Sequence, residues 1–161
     1  MVITTLAHHI DLAWMYEAYR QTRKSGAVGV DKVTAEEYAA DLESNLSSLL
    51  DRFKSGTYFA PPVRRVEIPK PGTRQKRPLG IPTVLDRVIQ QAIAQVLTPV
   101  YEEQFSSNSY GFRPGRSAHD AVKQVRTYIG EGYRCAVDMD LAKFFDLVNH
   151  DVLIHRVARN I

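Results

Sequence analysis

This 161-residue chain has one cysteine, one tryptophan and no long apolar run. A single thiol, Cys135, excludes an internal disulfide and any cysteine-rich zinc site. Its apolar neighbours read as core, not as the surroundings of a nucleophile. No stretch of about 18 apolar residues occurs, so no membrane-spanning helix is expected. The first twenty residues lack a basic segment followed by an apolar block, so a secretory leader is not expected, and a cytoplasmic protein is the default. The five histidines have no spacing typical of a metal site. Repeats and low-complexity tracts are missing as well.

Net charge is also scarce, at +3. Its distribution is more telling. From Arg64 to Arg77 six basic residues stand against one acid, Glu67, a net +5 in fourteen residues. The Asp31–Asp51 stretch is acidic by contrast. Such polarity suits a face that binds anions.

Apolar spacing predicts helices over about 10–24, 34–53 and 84–101, then from Ser117 to about Ile129, and last from His150 to the chain end. Thr34 followed by Glu37 is a capping box. "VRRVEI" and "LGI" flank the turn "PKPGTRQKRP" and predict a hairpin with a basic tip. "FSSNSYGFRPGRS" is a long loop of the kind that is often functional. A strand is expected over Tyr133–Asp140.

That strand opens "AVDMDLAKFFDLVNHD", with Asp138 and Asp140 two residues apart and so on one face. Such a pair can be solvated acids on an edge strand, or a helix cap. It can also hold Mg²⁺, which takes one or two carboxylates together with substrate phosphates. Phe144 and Phe145 pack a core or floor a sugar pocket. Lys70 and Arg77 lie on opposite arms of the hairpin, where a lysine point charge and an arginine fork can clamp phosphate; a solvated turn is the plain alternative. Arg113 and Arg116 interleave with Tyr110 and Phe112, a pattern suited to base stacking and backbone contact. Alternatively, Arg113 organises its own loop from within.

"VDMDLAKFFDLVNHD" resembles the first catalytic motif of the reverse transcriptases encoded by bacterial group II introns. "GVDKVT", "RPLGIPTVLDRVIQQAI" and "SYGFRPGRSAHDA" agree with the same family in order and spacing, and the similarity runs from about residue 10 onward. The resemblance implies an α+β fold: a fingers subdomain of helices plus a small antiparallel hairpin, and the first part of the palm. It divides the chain into an N-terminal extension (1–32), fingers (33–132) and palm start (133–161). It makes Asp140 one of three carboxylates holding two Mg²⁺ ions, with the backbone at Met139 and Leu141 helping. Lys70 and Arg77 would grip the incoming dNTP, and Phe145 would exclude a ribose 2′-hydroxyl. Arg64, Arg65, Arg74 and Lys76 would meet the template RNA backbone. Gly80, Ile81 and Pro82 would line the templating base, while the "KSGAVGVDK" loop would lie over template and DNA primer.

The family's second acidic pair, a Tyr-Ala-Asp-Asp turn, is missing from this sequence. "YAAD" at Tyr38–Asp41 is a near miss on the wrong side of the first motif, inside a predicted helix. "VLIHRVARNI" ends in an amphipathic segment, as if within a larger domain. Two rival readings stay open: a non-catalytic intron-RNA-binding (maturase) module, and a fragment of a retron or CRISPR-associated reverse transcriptase. An unpaired palm strand is further expected to drive homodimer formation through its edge.

One carboxylate cannot hold two metals in transfer geometry. The 161-residue polypeptide alone is therefore expected to show no RNA-templated primer extension; robust extension in a labelled-primer assay would overturn this.

Overall fold

The computed structural model describes residues 6–159. They fall into two compact units, one within residues 4–98 and one within 99–161.

The first unit begins with α1 (Leu6–His9), α2 (Leu12–Gln21), α3 (Ala35–Ala39) and α4 (Leu42–Lys54). Asp11 starts α2 by accepting from the Trp14 N–H at 2.7 Å. Thr34 and Glu37 close the expected box: the Thr34 hydroxyl accepts from the Glu37 N–H at 3.1 Å, and the Glu37 carboxylate from the Thr34 N–H at 2.8 Å. The single helix expected over 34–53 is broken. Asp41 leaves helical geometry at φ −132°, ψ 55°, and the Asn45 side chain caps the Tyr38 carbonyl at 2.9 Å. "YAAD" thus lies at a helix end with Tyr38 buried.

β1 (Arg64–Pro69) and β2 (Lys76–Ile81) form the expected hairpin. They pair antiparallel from Arg64 opposite Ile81 to Pro69 opposite Lys76. The tip closes through a Lys70 N–H to Gln75 carbonyl bond of 2.9 Å, with Gly72 in the left-handed region at φ +73°. α5 (Val84–Glu102) follows, and the boundary between the units falls within it, before Pro99.

The core of the first unit joins Ile10, Met15 and Ala18 to Leu46 and Leu49, and to the Val84, Val88, Ala92 face of α5. The Trp14 indole N–H bonds the Ala92 carbonyl at 3.2 Å. A polar lock ties the segment before β1 to α5. The Tyr58 hydroxyl donates to buried Asp86 at 2.7 Å, and Gln90 donates to its other oxygen at 3.1 Å. Burial, then the Asp86 carboxylate, pushes the Tyr58 phenol above its ordinary range.

The second unit holds the end of α5, then α6 (Ala118–Gly130), α7 (Phe144–Leu147) and α8 (His150–Ala158). Ser117 caps α6, accepting from the Asp120 N–H at 3.3 Å. Asn149 caps α8 by accepting from the Val152 N–H at 3.0 Å. α7 was not foreseen. The last helix, expected to reach the chain end, is seen to Ala158; residues 160 and 161 lie outside the described range.

The strand expected over Tyr133–Asp140 does not form. Its β-prone sequence has no ladder partner among the described residues, where β1 and β2 make the only sheet. β propensity expresses packing on neighbours more than an intrinsic backbone preference. Asp138 and Asp140 therefore do not share a pleated face, and the edge expected to mediate a homodimer is not present as a strand. The mixture of helices with one small antiparallel sheet is as expected. Among the described residues no helix is long and apolar enough to cross a membrane.

Replacing Tyr58 with Phe leaves Asp86 short of a donor and is expected to cost about 1–3 kcal/mol in urea unfolding at pH 7. In the parent, the unfolded phenol ionises near pH 10.0 while the folded one resists. Stability contributed by Tyr58 is thus full below that pH and lost as pH rises further. Tyr58→Phe is expected to shrink this alkaline loss.

Candidate nucleotide and nucleic-acid interface

The hairpin assigns its side chains to two faces by strand alternation. Arg64, Val66 and Ile68 share a face with Ile81, Leu79 and Arg77. That face is an apolar strip with a cation at each end, and Val66 and Leu79 are exposed. Arg65, Glu67 and Lys76 lie on the other face, where Lys76 pairs with Glu67 at 3.5 Å. Lys70 follows β1 directly and Arg77 is the second residue of β2, so both stand at the turn end of the hairpin. Lys70, Arg74, Lys76 and Arg77 are all exposed. Only Lys76 among them has a carboxylate partner among the described residues, so the tip carries surplus positive charge open to an anion. Arg64 is half-buried, and its Nε has no hydrogen-bond partner.

At the base of the hairpin a Cβ on Gly80 would come within 2.9 Å of Val63. Ile81 and Pro82 are half-buried there. The loop after α2 packs against the same region: a Cβ on Gly29 would lie 2.7 Å from the Thr83 Cα. Asp31 accepts from the Val33 N–H at 3.2 Å, a local turn bond.

Two cations at this loop were missed by sequence reasoning. The Lys24 ammonium donates to the Tyr19 and Thr22 carbonyls and lies 3.8 Å from the centre of the Tyr19 ring. Burial, and then the charge of Arg87, pull its pKa down. Arg87 donates to the Arg23 carbonyl at 3.4 Å. Lys24 sits where the C-terminal carbonyls of α2 project, and Arg87 bonds the chain just beyond the helix. Gly26 was the available signal, since a Cβ there would meet the Arg87 guanidinium at 2.6 Å.

In the second unit the Asp140 carboxylate is exposed and accepts the N–H of Leu141 at 2.9 Å. Met139 and Leu141 flank it and are exposed, as is Asp138. Phe144 and Phe145 make an edge-to-face pair, 5.3 Å between centroids, and Phe145 is 86% exposed. Both help line an apolar hollow of about 580 Å³ with Val148, Leu153 and Arg156. Among the described residues no three acidic, histidine or cysteine side chains gather closely enough to hold a metal ion. Asp140 suits Mg²⁺ as a single hard-oxygen ligand, and a full coordination shell needs oxygens from elsewhere.

The "YGFRPG" loop resolves the two readings of Arg113. Its side chain is only 8% exposed, and the guanidinium donates to Glu102 Oε1 from Nε at 2.9 Å and from Nη2 at 2.7 Å. Nη1 bonds the Ser106 and Ser109 carbonyls at 2.7 and 3.0 Å. Arg113 thus organises the loop from within, and the contact with RNA expected of it is not available from this geometry. Arg116 lies over the Tyr110 ring at 5.3 Å and bonds the Ser107 carbonyl, with no carboxylate partner among the described residues.

Residues 68–160 match the family model described as reverse transcriptase (RNA-dependent DNA polymerase). Protein YkfC of Escherichia coli (strain K12) is 41% identical over 155 residues, 92% of this chain and 40% of that protein. Group II intron-encoded protein LtrA of Lactococcus lactis subsp. cremoris is 36% identical over 139 residues, 86% of this chain and 22% of that one. The putative COX1/OXI3 intron 1 protein of Saccharomyces cerevisiae is 32% identical over 116 residues, covering 72% and 14%. The chain therefore spans well under half the length of these relatives.

Arg113→Ala would strand the part-buried Glu102 carboxylate and three loop carbonyls. It is expected to cost roughly 3 kcal/mol in chemical denaturation. Arg116→Ala, which removes one carbonyl contact and a ring contact but no ion pair among the described residues, is expected to cost less, about 1 kcal/mol.

Proposed function

The chain belongs to the reverse transcriptase family, of the group II intron-encoded type, and from that premise we propose that it is the template- and nucleotide-binding part of an RNA-directed DNA polymerase. The observation that carries this reading is the hairpin: six basic residues between Arg64 and Arg77, four of them exposed at or near its tip. Phosphoryl transfer asks a protein mainly for positioning and charge neutralisation. Lys70 and Arg77 are disposed to hold the triphosphate of an incoming dNTP. Arg64, Arg65, Arg74 and Lys76 serve the template backbone, and Ile81 and Pro82 the templating base. Arg116 adds a contact from the second unit.

Asp140 supplies one carboxylate toward Mg²⁺, with the Met139 and Leu141 backbone beside it. Bound metal would activate the primer hydroxyl and stabilise the leaving pyrophosphate. The chain's own part is to offer that oxygen in the open and to set Phe145 where a sugar would lie. In subdomain terms residues 33–132 correspond to fingers and 133–161 to the start of the palm, behind an extension over 1–32. The polymerase activity, with its DNA primer and intron RNA, requires the further carboxylates that complete the metal site. A second reading, an RNA-binding maturase module, has support in the name of one relative, nuclear intron maturase 1, mitochondrial, of Arabidopsis thaliana, 35% identical over 74 residues.

Phosphate contacts make affinity fall linearly with the logarithm of salt concentration. Fluorescence anisotropy with a single-stranded RNA is expected to show that slope. Arg74→Ala and Lys76→Ala are each expected to reduce it by about one. Affinity that does not respond to salt would overturn the proposal.

A further inference from the structure

Phe112 is the most exposed large apolar residue described, at 111% of its reference area. Its backbone has φ +56°, in the left-handed region that a bulky residue rarely occupies. Glycine would be at ease in that conformation, and a polar residue at that exposure. A strained, fully solvated aromatic ring satisfies neither packing nor backbone preference.

The loop beneath it is rigidly built. Arg113, the next residue, holds four loop and helix oxygens: Glu102 Oε1 and the carbonyls of Glu102, Ser106 and Ser109. Its guanidinium also lies over the Phe105 ring at 5.3 Å. The Arg116 N–H bonds the Arg113 carbonyl at 3.3 Å, and Gly115 turns the chain at φ +67°. A scaffold anchored on both sides of residue 112 thus presents the ring to solvent. Strain kept at an exposed point by a rigid frame is a mark of function.

The neighbouring charge identifies the kind of ligand. The charge of Arg113 is matched by Glu102, whereas Arg116 has no carboxylate partner among the described residues and lies on Tyr110. An exposed ring on the same loop as an arginine that keeps its charge, stacked on Tyr110 and bonded to the Ser107 carbonyl, fits single-stranded nucleic acid, which aromatic rings bind by stacking and arginines by phosphate contact. We propose that Phe112 is a base-stacking residue that holds one unpaired nucleobase of single-stranded RNA on the loop after α5. The inference rests on the RNA-binding reading above and adds a residue that makes no phosphate contact.

The two contributions separate by salt dependence. With the 161-residue chain and a fluorescein-labelled single-stranded RNA, Phe112→Ala is expected to weaken binding about five- to hundred-fold. The salt slope should stay unchanged, because no phosphate contact is lost, whereas Arg116→Ala should lower the slope by about one. Phe112→Trp should restore affinity, and its indole emission should be quenched when RNA is added. Phe112→Gly relieves the backbone and is expected to raise the thermal midpoint while weakening RNA, a trade a packing residue would not show. Phe112→Ala binding within twofold of the parent, at unchanged stability, overturns the stacking role and leaves the salt-dependent reading intact. A change in self-association without a change in RNA affinity would assign the ring to a protein contact, and likewise overturns it. A parent chain that binds no RNA at all removes both readings.

Discussion

Extended backbone is stable only where its N–H and C=O groups meet a neighbour, and this requirement sorts the chain. Residues 64–69 find their neighbour within the same short stretch, across a glycine-containing turn, and pair in full register. Residues 133–140 carry an equally strand-like sequence and find none among the described residues, so they stay unpaired. The hairpin is consequently a finished object, able to project cations at fixed spacing. The segment bearing Asp140 has no regular secondary structure, and among the described residues no sheet stands behind its carboxylate.

Cations are handled differently from place to place, and the partner decides the role. Arg113 is surrounded by carboxylate and carbonyl oxygens and becomes structure. Lys24 sits against the carbonyls ending α2, where the helix dipole welcomes positive charge, and Arg87 bonds the Arg23 carbonyl just beyond. Lys70, Arg74 and Arg77 have no ion-pair partner among the described residues and face water. Three arginine environments in one chain thus give three functions, which residue type alone would not distinguish.

Much of this was legible in the sequence where the determinant is local. The Thr34 box, the Ser117 cap, the hairpin and the α5 stripe all follow from residues within a few positions of one another. What failed was non-local. A strand at 133–140 needs a distant partner, and the break at Asp41 depends on a side chain from the next helix reaching back to Tyr38. The site divides in the same way. Surplus charge on the basic hairpin is visible in composition. Nothing in the spacing reveals that Arg113 turns inward, that Tyr58 is bound to Asp86, or that Phe112 adopts a left-handed backbone, although the adjacent Gly111 hints at an unusual turn.

Gly29 has no room for even a methyl group, because the Thr83 backbone is already there. The loop after α2 and the residues leaving β2 thereby touch backbone to backbone, so any side chain larger than hydrogen at position 29 would have to part the loop from the root of the hairpin.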